Sequence, residues 1–160
     1  YSCNEIAKIE KLLKFHDKVL RSPKIIALAP WRITNRNLIS FPEIDADRNS
    51  EENQKFARLF SAMSAVTVSN GYILYSDNNA DDDNGDYDHY YYNVYEVDLG
   101  KAVSKPMALK AGVSIKQFER GYIAFNRRRD DIKLKFSEFD VTVPSMDAVF
   151  LTNDGKIAIP

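Results

Sequence analysis

Cysteine is almost absent from the 160 residues: Cys3 stands alone, so no disulfide can close within the chain. Histidine is nearly as scarce. His16 and His89 are the only two, which leaves a conventional zinc site hard to assemble. No apolar run approaches the ~18 residues that a membrane-spanning helix needs, so no integral membrane segment is expected. The sequence also lacks HExxH, a phosphate-binding loop, GxGxxG and a nucleophile elbow. An enzyme built from it would have to work with carboxylates, tyrosines or arginines alone. Glycosidases do so with paired carboxylates, and that keeps a carbohydrate-active reading open beside a non-catalytic one.

What is present describes a water-soluble globular chain. Apolar residues make up 44%, and 22 Lys and Arg stand against 23 Asp and Glu, a balance too even for intrinsic disorder. A domain of this length buries roughly 70% of the surface its unfolded chain exposes, enough for a core without staples. One domain over residues 1–160 is expected, with a helical and mixed part over 1–65 and an antiparallel β part over 66–160. The first residue is Tyr1, so either a leader has been removed or the chain is a fragment. Cys3 admits a lipid-anchor reading, or that of an unpaired cysteine in a first helical turn. A periplasmic or secreted location is expected, with the cytoplasm left open.

A net charge near zero hides a segregation. Residues 1–42 hold eight bases and three acids, residues 43–98 three and thirteen, and residues 99–160 eleven and seven. The acidic middle argues against nucleic acid as a partner, because phosphate neutralisation needs a dominant basic surface. Six of those thirteen acids lie in residues 77–88, DNNADDDNGDYD, where Asp81, Asp82 and Asp83 are consecutive. Such a run cannot pack, and its Asn, Asp and Gly residues favour turns, so an exposed loop is expected. As an EF-hand loop it fails at both ends, since placing Gly85 sixth puts Ala80 first and Tyr91 twelfth. An irregular Ca²⁺ site on Asp82, Asn84 and Asp86 stays open, as do a solvated loop and a loop that meets a basic protein.

Apolar residues recur at Ile6, Ile9, Leu12, Leu13, Val19 and Leu20, the period of an amphipathic helix over residues 4–21 that Asn4 can cap. His16 is read as a half-buried packing residue, and Lys8, Lys11, Lys14 and Lys18 as a solvated face or, second, one for an anionic membrane surface. Ser50, Glu51 and Glu52 open a second helix over 50–65, with Phe56, Leu59, Phe60 and Met63 as its stripe. Between them, residues 25–29 and 37–41 read as short strands. Trp31 reads as a core residue or as a surface anchor for a partner.

After Ala65 the period changes to that of strands, over 66–76, 90–99, 114–119, 122–126, 132–141, 148–152 and 156–159, with Asn153-Asp154-Gly155 as a hairpin turn. The fold class expected is α+β, two helices of the N-terminal half packed on a twisted antiparallel meander of hairpins.

Two segments match: Gly71-Tyr72-Ile73-Leu74-Tyr75 leads to Glu96-Val97-Asp98, and Gly121-Tyr122-Ile123-Ala124-Phe125 leads to Glu138-Phe139-Asp140. The first copy is eight residues longer, and the excess falls in the acidic segment; the second turns through Arg127-Arg128-Arg129. The unit loosely resembles the strand pairs of β-propeller blades over about half the chain. A complete propeller needs well over this length. Each Glu-x-Asp pair reads as a solvated strand end, or as paired carboxylates for acid/base chemistry.

His89-Tyr90-Tyr91-Tyr92-Asn93-Val94-Tyr95 is the most unusual segment. As a strand it would put Tyr90, Tyr92 and Val94 on one face and Tyr91, Tyr95, Val97 and Leu99 on the other. The function expected is a non-catalytic, inhibitory binding domain that holds a basic protein partner. Asp81, Asp82, Asp83, Asp86 and Asp88 supply steering and ion pairs, and Tyr90 and Tyr92 the buried contact. Bacterial immunity proteins, which neutralise a toxin, have this profile by analogy of class. The alternative is a carbohydrate or cell-surface binding module with a Ca²⁺-binding Asp loop; a third reading is a structural domain of a larger surface assembly. No cofactor is expected.

Overall fold

The computed structural model describes residues 2–28, 41–69, 71–73, 75, 90–135 and 139–159. Helix α1 (Cys3–Val19) starts from Ser2 rather than the expected Asn4. The Ser2 side chain accepts from the Glu5 backbone, and the Glu5 carboxylate accepts from the Ser2 backbone in return. This reciprocal box satisfies two of the amide donors that every helix start leaves open, which Asn4 alone cannot do. Strand β1 (Ile26–Leu28) follows, within the expected 25–29, and Ala29 lies outside the described residues. Helix α2 (Phe41–Arg48) was not expected. Phe41, read as a strand end, is its first residue, and Pro42 stands in the first turn, where a missing amide donor costs nothing. The rest of the proposed 37–41 strand and Trp31 lie outside the described residues.

Helix α3 (Glu51–Thr67) is capped by Ser50 as expected, but it runs through residues read as the start of a strand. Of the expected 66–76 strand, the described residues form only β2 (Gly71–Ile73), which pairs in parallel with β1, a pairing the period-two pattern does not reveal. Residues 90–99 are not a strand. They run extended to Tyr92 and then wind into one 3₁₀ turn over Asn93–Glu96.

The C-terminal half supplies the sheet. Strands β3 (Met107–Lys110), β4 (Val113–Phe118), β5 (Gly121–Asn126) and β8 (Asp147–Thr152) make a four-stranded antiparallel sheet in the order β3-β4-β5-β8. The expected 132–141 strand is instead folded on itself as β6 (Ile132–Lys135) and β7 (Asp140–Val143), a separate antiparallel hairpin. The proposed repeat therefore fails as a pairing rule. Gly121–Asn126 pairs with β4 and β8, Asp140–Val143 pairs with β6, and Gly71–Ile73 pairs with β1. At the last turn Gly155 takes a φ of 81°, and Leu151 and Ile157 bridge across it, so the Asn-Asp-Gly signal holds although residues 156–159 form a single bridge rather than a strand.

The register divides the sheet into two faces. Phe118, Ile123, Phe125, Ala148 and Phe150 point to α3 and meet Phe56, Leu59, Phe60 and Met63 in the main core, which also takes Ile6 and Leu13 of α1. Ile115 and Ala124 point the other way, to Val143 of the β6–β7 hairpin, with Leu109, Tyr122, Leu134 and Val149 around them. The architecture is thus α+β, as expected, with three α-helices among the described residues instead of two. Gly121 is required where β5 meets β8, since a Cβ there would run into the Leu151 carbonyl oxygen.

Buried charge ties the layers together. Glu10 of α1 accepts from Lys14 and from Nε of Arg127, the residue after β5. Arg58 of α3 makes two parallel hydrogen bonds to Asp147 at the start of β8, of 2.9 and 2.7 Å. Lys116, buried on β4, donates to the carbonyls of Ala65 and Val68 at 2.9 and 3.0 Å, which places a cation on the negative C-terminal end of α3.

Candidate functional site

Of the residues expected to act, Tyr90 and Tyr92 are described, and they stand at the root of the acidic segment. Asp81, Asp82, Asp83, Asp86 and Asp88 lie outside the described residues, and so do the Ca²⁺ candidates Asp82, Asn84 and Asp86. The flanks of the segment are described, and they meet. Tyr75 on one side is fully buried. Its ring centroid lies 5.8 Å from that of Tyr92 on the other side, and its backbone amide donates to the Tyr95 hydroxyl at 3.2 Å. That hydroxyl donates back to the Tyr75 carbonyl at 3.4 Å, so one phenol serves both backbone groups of Tyr75.

Three neighbours anchor this clasp in the protein. Phe56 and Phe60 of α3 stand 6.0 and 5.8 Å from the Tyr75 ring, and the Tyr75 hydroxyl donates to Asn53 Oδ1 at 2.7 Å. The Asn53 side-chain amide donates in turn to the Asp47 carbonyl at 2.7 Å, tying the clasp to the end of α2. Tyr90 packs edge-on against Tyr92 at 4.9 Å, and Tyr91 edge-on against Tyr95 at 5.8 Å, the offset geometry that ring quadrupoles favour.

The 3₁₀ turn explains which rings are covered. It has three residues per turn, so Tyr92 and Tyr95 come to one side, at 5.9 Å, instead of to opposite faces as in a strand. Tyr92 is sealed in the core at 0% exposure and Tyr90 is half-buried. Tyr91, which the strand pattern grouped with Tyr95, Val97 and Leu99, is 62% exposed. Among the described residues the ring most open to a partner at this root is Tyr91, beside the buried Tyr92. Sequence periodicity could not reveal this, because the switch from two to three residues per turn carries no signal in a run of tyrosines.

Of the Glu-x-Asp pairs, only Glu96-Val97-Asp98 lies wholly among the described residues. Glu96 is exposed in the 3₁₀ turn, Asp98 is paired with Arg120, and Glu138 lies outside the described residues. The arginine turn that mirrors the acidic segment has its own partners: Arg127 is bound to Glu10, and Arg128 to Asp130 at 2.8 Å. His16 is half-buried with its ring 5.9 Å from that of Phe15, a packing role as expected. Cys3 is half-buried, with its sulfur 3.6 Å from that of Met146. His89 lies outside the described residues.

The shifted groups among the described residues are held by structural partners. Burial raises the Glu10 carboxyl, but the hydrogen bonds and charges of Lys14 and Arg127 outweigh it and leave the group below its ordinary value. Burial lowers the Lys116 ammonium, which the charge of Asp17 only partly offsets. The exposed Asp154 carboxyl is pulled down to about 2 by hydrogen bonds from Lys156 and Thr152. Among the described residues no group of three or more His, Cys, Asp or Glu is placed to hold a metal ion, and no helix is long and apolar enough to cross a membrane. Compared with known proteins, the sequence matches no family model and no curated relative.

Proposed function

We propose that the protein is a non-catalytic, inhibitory binding domain that engages a basic partner protein through the acidic segment and the tyrosine clasp at its root, in the manner of a bacterial toxin-neutralising (immunity) protein. The observation that carries this reading is the clasp. A segment with six aspartates in twelve residues is joined at both ends to one buried aromatic cluster, which limits the entropy its presentation to a partner must lose. Two further observations support it. Arg127 and Arg128 are bound to Glu10 and Asp130, so these two cations are committed away from the acidic segment. Tyr91 stands exposed at its edge, a rigid amphipathic ring suited to an interface.

In this reading Asp81, Asp82, Asp83, Asp86 and Asp88 steer a basic partner and pair with it. Tyr90 and Tyr91 make the contact, and Tyr92 holds them in place. A periplasmic or secreted location belongs to the same proposal. Neutralisers are encoded beside what they neutralise, so the test measures association with the product of the adjacent gene. Changing the five aspartates to Asn should slow association by about tenfold or more at low salt and flatten its salt dependence. Unchanged kinetics would sink the assignment. Titration with Ca²⁺ should give no heat. A clear binding heat and a raised melting temperature would favour the carbohydrate or cell-surface module instead.

A further inference from the structure

Helix α1 carries a second apolar face that the core does not use. Ile6 and Leu13, with Glu10 between them, point inward. Leu12, Phe15 and Val19 are spaced three and four residues apart, so they line a ridge on the outer side, where they are 41, 58 and 51% exposed. Lys8 continues this ridge one turn before Leu12. Lys11 and Lys18 stand one turn either side of Phe15, and Arg21 follows the helix end; all four are exposed and form no ion pair among the described residues.

The acids of this region are turned elsewhere. Glu5 is bound in the capping box, Glu10 is buried with Lys14 and Arg127, and Asp17 accepts from the Ser69 amide at 3.0 Å. The outer face therefore presents apolar side chains amid an excess of positive charge, in which Lys8 is partly balanced by the nearby charge of Glu5. We propose that this face of α1 docks onto an anionic phospholipid surface, lying in the interface plane with Leu12, Phe15 and Val19 inserted and Lys8, Lys11, Lys18 and Arg21 among the headgroups. Charge complementarity and shape both select this occupant. The side chains form an outward ridge, which a lipid surface accepts without a matching groove, and flexible lysine stems let their ammonium groups reach headgroups beside an inserted ring.

The test is flotation of the protein with vesicles of phosphatidylcholine alone and of phosphatidylcholine with about one third phosphatidylglycerol, at low and high salt. Binding should appear on the anionic vesicles and fall with salt. F15S should weaken it by about tenfold or more, from the lost ring burial. The triple variant K8Q/K11Q/K18Q should weaken it by about a hundredfold. These positions are exposed, so the variants should melt with the unaltered protein, which circular dichroism checks. Equal binding to both vesicle types, or anionic binding indifferent to both variants, would overturn the proposal. Absent vesicle binding together with lysine-dependent binding to polyglutamate would assign the face to an acidic protein and equally overturn it. The residues tested are remote in sequence from the acidic segment, so this experiment stands or fails independently of the aspartate kinetics.

Discussion

The two faces of the four-stranded sheet are covered by different means. On one, α3 presses four large side chains into an aromatic core, with its middle held by the Arg58–Asp147 pair and its C-terminal end by Lys116 on its last carbonyls. On the other, a hairpin of two four-residue strands covers Ile115 and Ala124 with Val143, a small patch. Its polar tie is Asn126, fully buried, whose side-chain amide donates to the carbonyls of Asp130, Val143 and Pro144. The helix side is where stability resides. It is also the side that holds the tyrosine clasp, so the candidate site rests on the stronger half of the protein.

Truncating one buried side chain on each face measures that asymmetry. Phe60→Ala empties a ring site in contact with Phe56 and Tyr75 and should cost about 3–5 kcal/mol in urea unfolding. Val143→Ala, also fully buried, should cost about 1–2 kcal/mol, because fewer atoms are lost and the thin hairpin can settle onto the gap. Losses of equal size would show that the hairpin face is as tightly packed as the helix face.

The same asymmetry governs how much was legible in the sequence. Residues 51–65 and 114–126 were readable because each element has a consistent composition and definite ends: Ser50 opens α3, and runs of branched and aromatic residues between turn residues carry β4 and β5. The failures have local causes. The 132–141 run is uniformly β-prone, and nothing in it marks where it folds back on itself. The parallel β1–β2 pair joins residues far apart in sequence, which no local pattern encodes. At the candidate site, composition exposed the charge of residues 77–88. It did not reveal the clasp, because that depends on Tyr95 reaching the backbone of Tyr75 and on a 3₁₀ turn that covers Tyr92 and leaves Tyr91 open.

The ion pair across the helix side is the next effect in size. Asp147 is nearly buried while Arg58 is a quarter exposed, so Asp147→Asn leaves a guanidinium that water can partly reach. The loss should be about 2–3 kcal/mol rather than the ~3–5 of a fully buried pair. A double-mutant cycle with Arg58→Met isolates the pairing. The double variant should lose less than the two single losses combined, and strict additivity would mean that the two groups do not stabilise each other.

The smallest effect is read by pH, and it separates buried from exposed charge. The Glu10 carboxyl is lowered on folding, so the unfolded chain takes up its proton first as pH falls. Its contribution is fully present above its ordinary value, near 4.3, and is lost as pH drops through the lower folded value. Asp154 has the same sign, with a folded value of about 2, but its carboxyl is fully exposed and open to counter-ions. Lys116 has the opposite chemistry. Its ammonium is lowered by burial, so the charge penalty lifts and stability rises from its folded value up to about 10.4. Acid unfolding in high salt should therefore keep the dependence due to Glu10 and lose that due to Asp154. Glu10→Gln should flatten the acid limb in high salt, whereas Asp154→Asn should leave it unchanged. If Asp154→Asn had the larger effect there, the exposed turn rather than the buried α1 contact would be setting acid stability.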